Sequence, residues 1–449
     1  MAESQVGLCF SHNQRPKAHA MHEHGARSAG RMSPGPGGTI APMPDPAHDR
    51  GASAAAPLAT FSTVDELHMQ RALALAGEAI GLTEPNPRVG CVIAGDGWTA
   101  EGHTQRAGEA HAEVMALRAA ATQGRDTRGA TAYVTLEPCA HHGRTPPCCD
   151  ALVDAGIRRV VVALGDPFPQ VAGEGLRRLR AAGIQVDAGL GADEARELNI
   201  GFLSRVQRGR PFVRMKIAGS LDGRTALDDG RSQWITGPDA RADGHRWRRR
   251  AGAVLTGIGT VLADDPRLDV REVPTARQPL RVIVDSRLRT PPGARILAPP
   301  GEVLLVSADA STPAAAALMA TGAAVIALPS ASSAPSTPAM WTSDSAAVVP
   351  RVDLSALMTE LARRGINELH VEAGPAINGA LLQSGLVDEL LLYMAPMLIG
   401  PGRPLAALDA LPALTNAQRF EFIDCTAVGP DLRLRARAVR PSREPPRHE

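Results

Sequence analysis

Apolar residues recur at helical spacing where the patterned part of the chain begins. The positions that indicate this first helix are Leu67, Leu73, Leu75, Ala76 and Ile80. Ser62 or Thr63 is its expected N-cap, and Gly81 is expected to end it. The turn Pro85-Asn86-Pro87 follows, so a sharp break separates the helix from the next element.

Short apolar runs and amphipathic stretches then alternate along the first half of the chain. The predicted elements are a strand over 88–94, a hairpin turn at 95–97, a helix beginning at His111, a strand over 130–136, a helix from Pro146 with Thr145 as its N-cap, a strand over 159–164, and a helix and a strand ending near Asp187. Alternation of this kind predicts an α/β/α layer sandwich.

The segment Arg208-Gly-Arg-Pro211 interrupts this pattern, and a second alternating α/β pattern starts with a strand at Phe212. We therefore expect a disordered extension over 1–60, one folded domain over 61–209 and another over 210–449. The stretch 308–347 is rich in Ala, Ser, Thr and Pro, and most of it is expected to be a surface loop. Gly257-Ile-Gly259 lacks the third glycine of the dinucleotide fingerprint, which argues against a Rossmann domain.

Residues 1–60 differ in composition from the rest of the chain. They are rich in Pro, Gly, Ala and Ser and have no periodic apolar pattern. Their five histidines are His12, His19, His22, His24 and His48. The irregular spacing of these histidines favours a solvated tail, or a segment upstream of the true start, over a metal-binding tract.

Composition and charge narrow the classes of function. With 449 residues, 44% of them hydrophobic, the chain is long enough for two or three domains with substantial cores. A formal net charge of +1 gives no general attraction to nucleic acid or to an anionic membrane. Six cysteines do not form a disulfide framework in this length, and neither a membrane span nor a secretory signal is apparent, which favours the cytoplasm. The sequence leaves a homo-oligomer open.

The most specific chemistry lies in a group of His, Glu and Cys residues. His111, Cys139 and Cys148 supply one imidazole and two thiols, the ligand set of a catalytic zinc with one position left for water. Glu113 is the candidate general acid/base, because at a helix start it can face that open position. The alternatives are a closed structural zinc and a redox pair. Cys149 is disfavoured as a fourth ligand, since adjacent helical residues point about 100° apart.

The spacing of the two thiol ligands is distinctive. Zinc nucleobase deaminases combine H-x-E with P-C-x-x-C, whereas eight residues separate Cys139 from Cys148 here. The chain resembles the family of bifunctional riboflavin-biosynthesis deaminase/reductases from about Phe61 to about Arg435. The strings that carry the resemblance are PNPRVGCVI, HAEVMALRAA, EPCAHHGRTPPC, KIAGSLDGRTA, SQWITG, TVLADDPRL, VIVDS, VEAGPAINGALL and LVDELLLYMAP.

This resemblance implies a fold and a reaction for each half of the chain. It implies a cytidine-deaminase-like α/β/α sandwich with zinc, followed by a dihydrofolate-reductase-like α/β domain that binds NADPH. The first half would deaminate 2,5-diamino-6-ribosylaminopyrimidin-4-one 5′-phosphate hydrolytically, with Glu113 moving the proton. The second would reduce the ribosyl side chain to ribityl, and there the protein supplies orientation and electrostatics.

Matched position by position, the resemblance also implies residues that contact ligands. The NADPH positions are Ala218, Trp234, Thr260, Asp264, Ser286, Gly374, Pro375, Ala376, Ile377, Asn378, Gly379 and Ala380. The sugar-phosphate positions are Ser232, Arg248, Leu268, Arg271 and Glu372. The pyrimidine positions are Asn86, His103 and either His141 or His142, each with a turn or supporting role as its alternative.

The residues by themselves leave two of these assignments open. The stretch 371–380 is compatible both with a phosphate cradle at a helix start and with a plain strand-to-helix turn. Arg248 lies in the run 246–250, which on its own favours a solvated basic helix face.

Two other functions share part of this pattern. A nucleic-acid base deaminase fused to an unrelated domain has the same zinc core, but the eight-residue spacing and the near-zero net charge disfavour it. A zinc-stabilised scaffold would keep zinc and lose nothing if Glu113 were replaced by Gln, whereas a deaminase would keep zinc and lose most of its turnover.

Overall fold

The computed structural model describes residues 60–141, 146–168, 172–330 and 351–439. The predicted extension before residue 60, the Thr145 cap, the candidate His142 and the part of the predicted surface loop over 331–347 lie outside these ranges.

A five-stranded sheet with helices on both faces forms the first half. Its elements are α1 (Thr63–Glu78), β1 (Gly90–Gly95), β2 (Trp98–His103), α2 (Ala112–Thr122), β3 (Thr131–Val134), α3 (Cys148–Asp154), β4 (Arg159–Val162), α4 (Glu174–Ala181), β5 (Gln185–Ala188), α5 (Ala192–Leu198) and α6 (Ile200–Arg208). The strand order is β2-β1-β3-β4-β5, with β1 antiparallel to both of its neighbours and β3, β4 and β5 parallel.

Two hydrophobic clusters cover the two faces of this sheet. Helices α1 and α5 pack on one face, and α2, α3 and α4 pack on the other. The predicted α/β/α sandwich is therefore confirmed. The predicted hairpin turn at Gly95-Asp96-Gly97 is also present. Ser62 is the N-cap of α1, and its side chain accepts a hydrogen bond from the Asp65 backbone N–H.

The predicted first helix is present as α1. Its buried stripe runs through Met69, Ala72 and Leu75, which leaves Leu67 63% exposed on the opposite side. The predicted start of α3 is wrong. Helix α3 begins at Cys148 with Pro147 as its N-cap, not at Pro146. The proline that follows Pro146 disfavours helical backbone there, which delays the helix start.

A nine-stranded mixed sheet forms the second half. Its elements are β6 (Phe212–Ser220), β7 (Arg224–Leu227), α7 (Pro238–Arg250), β8 (Ala253–Gly257), α8 (Ile258–Asp264), β9 (Leu280–Val284), β10 (Val303–Ser307), α9 (Pro313–Met319), β11 (Ala324–Ala327), α10 (Leu354–Arg363), β12 (Glu368–Val371), α11 (Pro375–Gln383), β13 (Glu389–Ala395), β14 (Gly402–Pro404), β15 (Phe420–Val428) and β16 (Asp431–Ala438). The strand order is β11-β10-β9-β8-β12-β6-β13-β16-β15, while β7 and β14 form a separate ribbon.

The strands from β11 to β13 are parallel, and the hairpin β15–β16 completes the sheet in antiparallel pairing. The carboxyl ends of the parallel strands therefore lie along one edge, where ligands bind in open α/β sheets. The strand predicted from Phe212 and the strand predicted over 368–371 are both present. None of the helices in the described ranges is long and apolar enough to cross a bilayer.

The predicted surface loop over 308–347 is wrong in its first part. Helix α9 and strand β11 occupy much of 308–330, and Ala315 and Leu318 are buried against the nine-stranded sheet. A run of alanines has little side chain with which to show helical periodicity, but it packs closely against a sheet. The small-residue composition therefore concealed a helix.

Candidate active sites

Three side chains that suit a metal converge at one end of the five-stranded sheet. Nδ1 of His111 lies 3.4 Å from Sγ of Cys148 and 3.7 Å from Sγ of Cys139. All three ligand atoms lie within 4.8 Å of one another. Tetrahedral zinc with ordinary Zn–N and Zn–S bond lengths separates nitrogen from sulfur by about 3.5 Å. The donor set and its spacing therefore fit zinc.

Strand register brings these ligands together. Gly90 pairs with His103 and Cys91 pairs with Val134, so β1 starts where β2 and β3 end. The chain leaves β2 toward the start of α2, where His111 is the N-cap, and it leaves β3 toward Cys139. Cys148 is the first residue of α3, and its backbone N–H donates a hydrogen bond to Sγ of Cys139 at 3.3 Å. His111 and Cys148 thus lie at two helix starts, as the sequence predicted, and Cys139 lies in the segment between β3 and α3.

The surroundings of Cys139 favour the thiolate form of its side chain. Hydrogen bonds from the Cys148 thiol and backbone N–H, together with the His111 imidazole, lower the pKa of Cys139 in spite of its burial. Thiolates are the form in which cysteine binds zinc. The environment of Cys139 is therefore already suited to a cation.

Glu113 is buried beside this cluster, with 3% of its surface exposed. Burial is the main reason that the pKa of its carboxyl is raised to about 7, and the Cys139 thiolate adds to the rise. The carboxyl also interacts with the Cys148 thiol, so it faces the ligands although it is not one of them. This is the placement expected of a proton carrier next to an open coordination position.

The neighbouring thiol of Cys149 points elsewhere. It donates to the carbonyl oxygen of Pro138 at 3.2 Å. Within the described ranges, the metal-ligand cluster comprises three residues and has no fourth protein ligand. A closed four-ligand structural site is thereby disfavoured, and a position for water is left.

The three described pyrimidine candidates differ in their surroundings. Asn86 is half-buried in the turn before β1, and His103 is the last residue of β2, so both lie at the end of the sheet that carries the metal ligands. Nδ1 of His103 lies 3.2 Å from both the Thr104 carbonyl oxygen and Nε2 of Gln105. His141 is exposed. Contact of these residues with a pyrimidine remains a prediction.

The positions matched to NADPH follow the carboxyl edge of the nine-stranded sheet. Strands β9, β8, β12 and β6 are consecutive neighbours there. The matched positions near the ends of these strands are Ser286 after β9, Thr260 and Asp264 in α8 after β8, Gly374–Ala380 after β12, and Ala218 within β6. This edge is the ligand-binding side of an open parallel sheet.

The start of α11 has the properties of a phosphate cradle. Gly374 is its N-cap, and the first backbone N–H groups of a helix have no partners within the helix. A Cβ on Gly374 would lie 3.6 Å from Oγ1 of Thr260, so the glycine keeps open the space between α11 and α8. The strand-to-helix turn therefore fits the nicotinamide cofactor that the resemblance implies.

Trp234 lies apart from this cradle but at the same edge of the sheet. Its indole is 67% exposed and stacks under the guanidinium of Arg241, 4.5 Å from the ring centroid. It lines an open pocket of about 380 Å³ with Pro396 and Met397, which follow the carboxyl end of β13. Since β13 is the next neighbour of β6, the pocket extends the same carboxyl edge of the sheet.

Two of the positions matched to NADPH also contribute to the packing of α11 against the segment 405–407. Asn378 is buried and donates to the Leu405 carbonyl oxygen at 2.9 Å, and a Cβ on Gly379 would lie 1.8 Å from the Ala407 carbonyl oxygen. Gly379→Ala must push α11 away from this segment. We expect it to lower the free energy of unfolding by about 1–3 kcal/mol.

Thermal unfolding of the full chain measures this effect, with Gly259→Ala in α8 as the control. A Cβ at Gly259 would meet nothing within 4 Å, so the control should unfold near the wild-type temperature. Equal melting temperatures for Gly379→Ala and wild type would contradict the close packing of α11.

Two of the residues matched to sugar-phosphate binding, Arg248 and Glu372, form a buried ion pair. Arg248 donates from Nε and Nη2 to the two oxygens of Glu372, at 2.7 and 3.0 Å, and from Nη1 to the Asp269 carbonyl oxygen at 2.6 Å. Arg248 is buried, whereas Arg246 on the same helix is exposed. The alternative of a solvated basic face therefore holds for Arg246 and not for Arg248.

The remaining sugar-phosphate positions fall into two places. Leu268 is buried, and Arg271 donates to a carboxylate oxygen of Asp269 at 2.9 Å, so 268–271 lies next to Arg248. Ser232 is on the segment between β7 and α7, two residues before Trp234. In the described part of the chain, no hydrogen bond joins Ser232 to the Arg248–Glu372 pair.

Sequence reasoning missed two basic groups beside Glu372. Nζ of Lys216 lies 3.9 Å from Oε2 of Glu372, and Nε2 of His370 lies 3.4 Å from Oε1. Burial opposes ionisation of Glu372, but Arg248, His370 and Lys216 hold its pKa well below the usual range. Strand alternation offered a signal for Lys216, because it shares a face of β6 with Ala218.

Comparisons with known proteins agree with this two-site arrangement. Residues 62–164 match the family model for the cytidine and deoxycytidylate deaminase zinc-binding region, and residues 211–434 match the model for the RibD C-terminal domain. The chain is 46% identical over 389 residues to the riboflavin biosynthesis protein RibD of Escherichia coli, covering 82% of this chain and 98% of that protein. It is 40% identical over 346 residues to RibD of Aquifex aeolicus, covering 77% and 90%.

Solved structures show the same similarity. RibD of Acinetobacter baumannii superimposes with a TM-score of 0.72 at 41% identity, covering 84% of this chain and 99% of that one. A Thermotoga maritima protein described as a diaminohydroxyphosphoribosylaminopyrimidine deaminase/5-amino-6-(5-phosphoribosylamino)uracil reductase gives a TM-score of 0.71 at 32% identity, with the same coverage.

Proposed function

This chain belongs to the RibD family of bifunctional riboflavin-biosynthesis deaminase/reductases, and from that premise we propose which of its residues perform the two reactions. His111, Cys139 and Cys148 bind zinc, and Glu113 is the general acid/base of deamination. The carboxyl edge of the nine-stranded sheet binds NADPH, and the residues around Glu372 bind the sugar phosphate. The substrate of the first reaction is 2,5-diamino-6-ribosylaminopyrimidin-4-one 5′-phosphate.

One observation carries the proposal for the first reaction. A buried carboxyl, Glu113, faces a three-ligand His/Cys/Cys cluster that has no fourth protein ligand in the described ranges. Zinc, when bound, supplies a Lewis acid that makes a water molecule acidic enough to act as a nucleophile near neutral pH. Glu113 accepts the proton of that water and donates a proton to the departing amino group.

In the second reaction the protein orients the substrate for reduction and supplies no nucleophile. NADPH, when bound, supplies the reducing equivalents. Both oxygens of Glu372 are bonded to Arg248, so Arg248 fixes the Glu372 carboxylate toward the sugar. The Arg271 side chain is 49% exposed and is therefore better placed to meet the phosphate group, which arginine grips bidentately.

We also propose the division of the chain and its location. Residues 61–209 form the deaminase domain, residues 210–449 form the reductase domain, and residues 1–60 are an extension with no assigned role. A cytoplasmic location is supported by the Cys139–Cys148 pair, since free thiol ligands persist in reducing compartments. The partner is the phosphorylated pyrimidine, not nucleic acid or a membrane.

Separate assays of the two half-reactions test the proposal. The purified zinc-loaded chain should release ammonia from the diaminopyrimidine phosphate without NADPH. It should oxidise NADPH when given the deaminated pyrimidine phosphate. Absence of ammonia release would favour a nucleic-acid base deaminase or a scaffold, and absence of NADPH oxidation would limit the activity to the first half.

Removal of Arg248 tests the reductase site. Arg248→Ala leaves the buried Glu372 carboxylate with Lys216 and His370 only, and loss of one partner from a buried ion pair costs about 3–5 kcal/mol. We expect kcat/KM for the deaminated substrate to fall by about a hundredfold or more, while ammonia release stays near wild type. Arg246→Ala, on the exposed side of α7, is the matched control. Equal reductase activity in the two variants would exclude Arg248 from the site.

A further inference from the structure

Residues 81–88, here called the entry loop, lead into β1 and are held by residues of both domains. Within the deaminase domain, Arg88 bonds to the Asn199 side chain and to the Leu198 carbonyl oxygen. The bonds from the reductase domain begin at Glu84. The Glu84 carboxylate accepts a hydrogen bond from Nη2 of Arg277 at 3.1 Å and another from the Asn367 backbone N–H. A Cβ on Gly252 would lie 2.3 Å from Oε1 of Glu84. This glycine therefore provides the space in which the Glu84 carboxylate lies.

The next residue of the entry loop is held from both domains. The Pro85 carbonyl oxygen accepts from Nδ2 of Asn367 at 3.1 Å and from Nη2 of Arg205 at 3.0 Å. Nε of Arg205 in turn donates to Oδ1 of Asn367 at 2.6 Å. Asn367 thus contacts the entry loop through both its backbone and its side chain.

Arg88 closes the entry loop with a buried ion pair across the domain junction. Its Nη1 lies 2.6 Å from Oε1 of Glu368, and its Nη2 donates to the Arg250 carbonyl oxygen at 2.8 Å. Glu368 also accepts from Arg214 and Arg250, at 2.7 and 2.8 Å. The pair is almost fully buried, with 8% of the Arg88 side chain and 1% of the Glu368 side chain exposed.

The entry loop also lies at the end of the five-stranded sheet that carries the metal ligands. The loop joins β1 at the end of the sheet where β2 ends at His103 and where the chain leaves β3 toward Cys139. Asn86, matched to pyrimidine binding, lies between the two anchored parts of the loop. Its hydrogen bonds within the described ranges use its backbone, to the Thr83 carbonyl at 2.9 Å and from the Thr83 hydroxyl at 3.2 Å. The position of the Asn86 side chain therefore depends on how the loop is held.

We propose that the reductase domain positions Asn86 for the deamination reaction, through Arg277, Asn367 and Glu368. These are positioning residues, because they act on the pyrimidine through the entry loop and do not touch it. The proposal rests on the proposed deaminase function. It makes the first active site incomplete without the domain that carries the second.

The test uses the full-length zinc-loaded chain with Arg277→Ala and Asn367→Ala as separate variants. Arg277→Ala removes a hydrogen bond to the Glu84 carboxylate, and Asn367→Ala removes one to the Pro85 carbonyl oxygen. We therefore expect KM for the diaminopyrimidine phosphate to rise about tenfold. The kcat of ammonia release should stay within about threefold, zinc content should be unchanged, and reduction of the deaminated substrate should be unaffected. Hydrogen exchange of the backbone amides of 81–88 should become faster.

Two further variants serve as references. Arg277→Lys keeps the charge next to Glu84 and should restore KM to within about twofold of wild type. Arg363→Ala removes an exposed arginine that pairs with Glu360 in the reductase domain, and it should leave every readout unchanged.

Three results would overturn the positioning role. One is unchanged KM and unchanged exchange in both alanine variants. Another is a fall in kcat with KM unaltered, and the third is loss of zinc together with both activities, which would indicate a purely structural role. A wild-type chain that releases no ammonia would instead contradict the proposed function, and hydrogen exchange would still test whether the reductase domain holds the loop.

Discussion

Glu113→Gln should keep zinc and lower the rate of ammonia release by about a thousandfold. The amide has nearly the size of the carboxyl but cannot move a proton between the attacking water and the departing amino group. The ligand cluster consists of His111, Cys139 and Cys148, so the substitution leaves the metal ligands intact. Reduction of the deaminated substrate should be unchanged, because the reductase site uses other residues.

Glu109→Gln is the matched control for this variant. Glu109 is an exposed carboxylate four residues earlier, and it accepts a hydrogen bond from the Arg106 backbone N–H. The control should deaminate like wild type and carry the same amount of zinc. If Glu113→Gln also released ammonia at the wild-type rate, Glu113 would not be the general acid/base and the scaffold alternative would regain support.

Cys139→Ser should lose zinc and, with it, all measurable deamination. A serine hydroxyl is neutral at pH 7 and is a poor zinc ligand, whereas the Cys139 thiolate is stabilised by hydrogen bonds from Cys148 and His111. Only two ligands would remain at the site. NADPH-dependent reduction of the deaminated substrate should persist, since the proposed NADPH site lies at the edge of the other sheet.

Cys149→Ser gives the comparison at the neighbouring thiol. The serine hydroxyl can still donate a hydrogen bond to the Pro138 carbonyl oxygen. Because Cys149 is not one of the clustered ligands, zinc content and deamination should stay near wild type. Metal analysis of both variants separates the roles of the two cysteines. Retention of zinc by Cys139→Ser would contradict the ligand assignment, and loss of both activities would show that the reductase site depends on the zinc site.

The metal centre was predictable from sequence because its chemistry restricts the residue types. Zinc accepts few kinds of ligand, and His111, Cys139 and Cys148 each lie at the junction of two elements whose patterns are clear. Strand alternation and turn residues likewise identified β12 and the hairpin between β1 and β2. The start of α3 was misplaced by two residues, because Pro146 precedes another proline.

Contacts between distant parts of the chain were not predictable from sequence. Arg88 and Glu368 are 280 residues apart, and neither periodicity nor composition relates them. The contact of Lys216 with Glu372 depends on how β6 and β12 pair in the sheet. The entry loop therefore appeared as a simple Pro-Asn-Pro turn, although Arg277, Asn367 and Glu368 of the other domain bond to it.

The most direct test of the account is a single reaction mixture that contains the zinc-loaded chain, the diaminopyrimidine phosphate and NADPH. Ammonia release and NADPH oxidation should reach equal final amounts, with NADPH oxidation following ammonia release in time. Glu113→Gln should show neither signal in this mixture, although it still oxidises NADPH when given the deaminated substrate. NADPH oxidation without ammonia release, or ammonia release with no NADPH oxidation, would contradict a chain that performs the two reactions in sequence.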